Sequence, residues 1–74
     1  MKNAKRIEYL RKLIPAQEAH TRMMIAIDPT MPSIPASKRI AYVFREELKH
    51  LEAGKTRTSF DLNAASAAAR AEVR

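Results

Sequence analysis

The spacing of apolar side chains is the most informative feature of this chain. Between residues 3 and 28, Ile7, Leu10 and Ile14 form one stripe. Tyr9, Leu13, Ala16, His20, Met23 and Ile27 form a second, in alternating steps of four and three. Such steps keep side chains on one face of an α-helix. Asn3 is a suitable N-cap type, and no Gly interrupts the segment. Pro15 falls inside it, and an interior Pro costs a helix roughly 3 kcal/mol. The helix therefore kinks at Pro15, or stops at Ile14 and restarts there. Only the second stripe continues past Pro15, which favours one kinked helix with a coiled-coil-like seam.

The segment from Asp28 to Pro35 carries Pro29, Pro32 and Pro35 at intervals of three. Each pushes the residue before it towards extended or polyproline II geometry, so residues 29–35 read as a stiff linker. Helix two is expected over residues 36–53, with Ile40, Val43, Phe44, Leu48 and Leu51 on its apolar face and Gly54 as its terminator. Thr58 followed by Asp61 matches a capping box and opens a third helix over 59–73. That helix is Ala-rich, with Phe60, Leu62 and Val73 as its only large anchors. The expected fold is all-α: a single domain, residues 1–74, of three helices.

Composition narrows the picture further. Seventy-four residues make one domain at most. With no Cys there is no disulfide framework and no thiolate metal site. The longest run of large apolar residues, Met23 to Ile27, falls far short of the ~20 residues that span a bilayer. The N-terminus is basic, but Arg11, Lys12, Gln17 and Glu18 break any apolar signal-peptide core. A membrane role is thus not expected, and the cytoplasm is the default location. Few large side chains are available to bury, so a homodimer, or folding completed on a partner, is expected.

Three polar residues fall on apolar faces. Glu47 lies near the middle of the helix-two face, His50 on its edge, and His20 within the second stripe of helix one. A buried carboxylate must pair, protonate or bind something. The expected arrangement is a buried polar pair of His20 and Glu47, with Arg22 or Arg11 as other possible partners of Glu47. Glu47 and His50 also have the Glu-x-x-His spacing of carboxylate-bridged di-metal bundles, a remote metal reading that needs a second copy and Glu18. Gly54-Lys55-Thr56 resembles the end of a phosphate-binding loop, but Lys49 stands where its first Gly belongs. No arrangement supports catalysis, a cofactor or a small-molecule substrate.

The formal charge is +6. It is +4 over residues 1–12, −1 over 13–37, +3 over 38–57 and zero over 58–74. Lys5, Arg6, Lys12, Lys38, Arg39, Lys55 and Arg57 are the candidates for contacting a nucleic-acid backbone. The base-reading position, helix three, is mostly Ala, and paired aromatics for stacking on single strands are missing. The favoured expectation is a protein partner. Met23, Met24 and Met31 adapt to varied surfaces, and Pro29, Met31, Pro32, Ile34 and Pro35 form an extended segment suited to a groove. Short basic helical chains of this kind resemble, in type, the small regulators and host-directed inhibitors carried by phages and plasmids.

Overall fold

A computed structural model describes residues 3–73. It contains helix α1 (Ala4–Ile27), helix α2 (Ile34–Glu52), a 3₁₀ turn (Arg57–Ser59) and helix α3 (Leu62–Glu72). The protein is all-α, and no strand occurs among the described residues.

Helix α1 runs unbroken through Pro15. The pyrrolidine ring faces solvent, so water can reach the carbonyl that loses its N–H partner. Of the two sequence stripes, the first faces the core. Leu10 and Ile14 are buried, and the line continues past Pro15 through half-buried Gln17, then Thr21 and Met24. The core line past Pro15 is therefore carried by Gln17 and Thr21, polar residues that belong to neither apolar stripe. The coiled-coil-like seam is not the surface that packs within the chain.

Three prolines do not produce an extended linker. The Asp28 carboxylate accepts hydrogen bonds from the Thr30 N–H at 3.0 Å and its hydroxyl at 2.7 Å. The Met31 N–H then bonds the Asp28 carbonyl, and the Ile34 N–H the Met31 carbonyl. These turns reverse the chain within residues 28–33, and Pro35 sits in the first turn of α2, where its missing N–H costs nothing. Helix α2 ends in a Schellman motif. Gly54, at φ +84°, donates to the Leu51 carbonyl, and Lys55 donates to that of His50.

Helix α3 begins three residues later than the Thr58–Asp61 capping box implies. Asp61 is itself the N-cap, accepting from the Ala64 N–H at 3.0 Å. Thr58 lies in the 3₁₀ turn, and Phe60 in extended conformation separates the two.

Leu10, Ile14 and Leu51 form the core, with Ile7, Leu13, Phe44 and Leu48 packed around them. Helices α1 and α2 are an antiparallel hairpin, and α3 packs on α2. Ala65 and Ala69 are its buried residues, small enough to bring the two backbones close. The product is a thin slab of 42 × 23 × 13 Å. Its radius of gyration is 13.4 Å, against about 11 Å for a compact chain of this length. Its accessible surface is 5358 Å², against about 4,600 Å² for a compact monomer of this mass.

Candidate interaction surfaces

The hairpin is fastened by polar links on either side of its apolar core. On one side Arg6 grips Glu47 with two parallel hydrogen bonds, Nε to Oε2 at 2.7 Å and Nη2 to Oε1 at 3.0 Å. Glu47 is only 7 % exposed. The bonds from Arg6 hold its carboxyl below the usual range against the opposing pull of burial, and Arg57, 4.0 Å away, adds to the effect. The same pairing raises Arg6, whose guanidinium also lies 5.4 Å over the Tyr9 ring. On the other side, Arg11 bonds Glu52 at 2.6 Å and Arg45 bonds Glu18 at 3.0 Å. Between them the buried Thr21 and Ser37 hydroxyls are 2.6 Å apart, and Gln17 donates to Ser37 at 2.8 Å.

This arrangement corrects the expected His20–Glu47 pair. Glu47 is buried as its wheel position implied, but its partner is Arg6, while His20 lies exposed on α1. The reason is rotational: Arg6 stands one turn before Leu10 on the core side, whereas His20 belongs to the stripe that α2 does not cover. Glu47 and His50 do not converge on a common point either. The His50 Nε2 lies 2.8 Å from both the Thr56 carbonyl and the Ser59 hydroxyl, with its ring edge-on to Phe60. His50 thus pins the loop leading into α3. No group of three or more metal-ligating side chains occurs among the described residues.

The cations proposed for nucleic acid are divided. Arg6 and Arg57 are drawn to Glu47, and Lys12 pairs with Glu8 at 3.5 Å. Lys5, Lys38, Arg39 and Lys55 carry no ion pair among the described residues. Lys5 and Lys55 sit at one end of the slab, where Asn3 bonds the Lys55 carbonyl. Lys38 and Arg39 sit in the first turns of α2, towards the other end. In the proline segment, Ile34 is buried at 6 % exposure against α1, Met31 and Pro35 are half-buried, and only Pro29 and Pro32 are exposed. The expected groove-binding stretch is therefore a folded turn, with its largest apolar side chain spent on the core.

The surface left without intramolecular cover is the second stripe of α1. Tyr9, Met23 and Ile27 are 52 %, 60 % and 71 % exposed, Ala16 and His20 are exposed, and Leu13 is half-buried. At ~100° per residue the stripe lies roughly 110° round α1 from its core face, on the same side as Arg6. Turning α2 in the same way places Ile40 and Phe44 beside Glu47, on that same side. Ile40 is 45 % exposed. There it floors a shallow groove of about 550 Å³ with Val43, Phe44 and Ala69, rimmed by Arg39 and Arg70. One broad face of the slab thus carries the exposed apolar side chains, crossed by the Arg6–Glu47 pair and edged by Arg39 and Arg70. The opposite face bears the Glu18–Arg45 and Arg11–Glu52 pairs with Arg22 and Lys38.

Comparison of the chain with protein-family models, curated proteins and solved structures gives no match. No helix among the described residues is long and apolar enough to cross a membrane.

Proposed function

We propose that this is a non-enzymatic helical interaction protein that binds a partner protein through the apolar face of its slab, in the manner of a small regulator or inhibitor. The observation that supports this reading is the uncovered stripe Tyr9–Leu13–Ala16–His20–Met23–Ile27, continued across α2 by Ile40 and Phe44. Large contiguous apolar patches rimmed by polar groups mark protein interaction sites on soluble chains. Engagement of Arg6, Lys12 and Arg57 with glutamates favours this reading over attachment to a nucleic-acid backbone.

The test is affinity capture from nuclease-treated lysate of the source cells, comparing wild type, Met23→Lys and Arg22→Glu. A discrete partner held by wild type and Arg22→Glu but lost by Met23→Lys supports the apolar face. Equal retention by all three refutes it, and retention that vanishes on nuclease treatment transfers the function to nucleic acid.

A further inference from the structure

We propose that the apolar face is closed by a second copy of this chain, in a face-to-face antiparallel dimer that stacks the two α1–α2 hairpins into a four-helix bundle. This rests on the reading that the face is a protein-binding surface, and it names the occupant. Four observations carry it.

The first is spacing. Six positions in steps of four and three over 19 residues form the narrow seam along which two helices cross at the shallow angle of a bundle. Apart from Leu13, which packs against the hairpin core, helix α2 does not use this seam, so the rest of it remains available between chains.

The second is symmetry. A two-fold interface needs a surface that is complementary to itself when reversed. Reversed about a midpoint near residue 18, the seam sets Tyr9 against Ile27 of the partner subunit, Leu13 against Met23 of the partner subunit, and Ala16 against His20 of the partner subunit. Large residues meet large at both ends, and the small Ala receives the imidazole in the middle.

The third is the level of α2. Five side-chain links join the hairpin: Arg6–Glu47, Arg11–Glu52, Gln17–Ser37, Thr21–Ser37 and Glu18–Arg45. On average they put the seam midpoint level with Ile40, with single links scattering by up to about 8 Å along α2. The two-fold axis that reverses α1 on its copy runs between the two slabs, parallel to their plane, and passes over α2 near that level. It sets Ile40 against Ile40 of the partner subunit and Phe44 near Ala36 of the partner subunit. This accounts for a large aliphatic side chain left 45 % exposed at mid-helix.

The fourth is area and charge. The accessible surface exceeds that of a compact monomer by about 750 Å², so the open slab leaves exposed surface that a more compact fold would cover. Helix α1 carries Lys5 and Arg6 in its first turn and Asp28 at its C-cap, and both placements run against its own dipole. Antiparallel stacking lays Lys5 near the C-terminal carbonyls and Asp28 of the partner subunit, whereas parallel stacking sets the two basic ends side by side.

The chain has no Cys, so introduced thiols report the register without interference. Wild type is sized by sedimentation from about 1 to 200 μM, a range that brackets micromolar affinity. Tyr9→Cys, Ile27→Cys and Ile40→Cys are then oxidised mildly, alone and mixed, after circular dichroism has shown each to be helical. The expected results are a dimer in the micromolar range and a disulfide dimer of Ile40→Cys alone. Tyr9→Cys and Ile27→Cys link only when mixed, because each stands about 27 Å along the axis from its own copy, beyond the reach of a disulfide. Met23→Lys weakens association at least ~10-fold while remaining helical. A wild-type monomer throughout the range overturns the proposal, and so does self-linking of Tyr9→Cys or Ile27→Cys. A monomer that still loses a captured partner on Met23→Lys sinks only the dimer. If Met23→Lys disturbs neither association nor capture, the underlying reading fails as well.

Discussion

The ion pair at the start of the hairpin yields the sharpest quantitative prediction. Arg6→Ala removes both donors from a carboxylate whose side chain is only 10 % exposed, leaving Arg57 at 4.0 Å as the nearest cation. Stranding one member of a fully buried pair costs about 3–5 kcal/mol, and breaking an exposed pair about 0–1 kcal/mol. Arg6 is itself 25 % exposed and Glu47 keeps a path to water, so we expect about 2–3 kcal/mol at pH 7. For a chain this short that lowers Tm by roughly 10–20 °C.

The pH dependence carries the proof. In the wild type Glu47 titrates below its ordinary value of 4.5, so its contribution is fully present above that value. It is lost as pH falls through the folded-state value. In Arg6→Ala, burial works unopposed by those two bonds and the carboxyl protonates more readily, so acidification relieves the variant while it weakens the wild type. Urea unfolding followed by circular dichroism, at one protein concentration from pH 7.5 to pH 3.5, should show the stability gap shrinking below about 1 kcal/mol at the acid end. A gap that is constant with pH, or below about 0.5 kcal/mol at pH 7, would refute the assignment of Arg6 as the group that holds Glu47 charged.

Three further outcomes follow from the packing. Pro15→Ala restores an N–H to a solvent-facing position of continuous helix and should raise stability by about 1–3 kcal/mol in thermal melts; a loss would mean that the proline sets a bend α2 requires. Ser37→Ala and Thr21→Val should each cost about 1 kcal/mol, yet less in combination than their sum, because the double change removes both ends of one buried hydrogen bond. Strict additivity in a double-mutant cycle would show that the two hydroxyls do not bond each other. His50→Ala removes the link from α2 to the Thr56 carbonyl and Ser59 hydroxyl, leaving only the bonds of Ser59 to that carbonyl, so trypsin should cut at Lys55 or Arg57 several-fold faster while the global melt falls by no more than about 1 kcal/mol. Unchanged cleavage would deny His50 its hold on the loop.

How much of this was legible in the residues differs from element to element. The three helices, their order, and the ends of α1 and α2 to within two residues follow from periodicity, Pro and Gly54, because those signals act within a few residues of chain. The burial of Glu47 was legible too, since a wheel position depends only on the helix's own geometry. Its partner was not: Arg6 is 41 residues away, and any of several cations satisfied the same requirement. The polar stretch of the α1 core, Gln17 and Thr21, left a trace in its step of four and three between Ile14 and Met24. Apolar periodicity does not mark it, because both side chains are polar and only their mutual bonding with Ser37 makes them fit for burial. The proline segment misled for a related reason, as the bonds from Thr30 to the Asp28 carboxylate outweigh the extended bias of a residue before proline.

The sequence by itself determined that this chain makes amphipathic helices with more apolar face than one small body can cover, because periodicity and composition are local quantities. Tertiary structure alone decided which α1 stripe is spent inside the hairpin and which is left outside. Both stripes are helical and apolar, and only the packing of α2 against Leu10, Ile14 and Met24, with Ser37 closing on Gln17 and Thr21, distinguishes them.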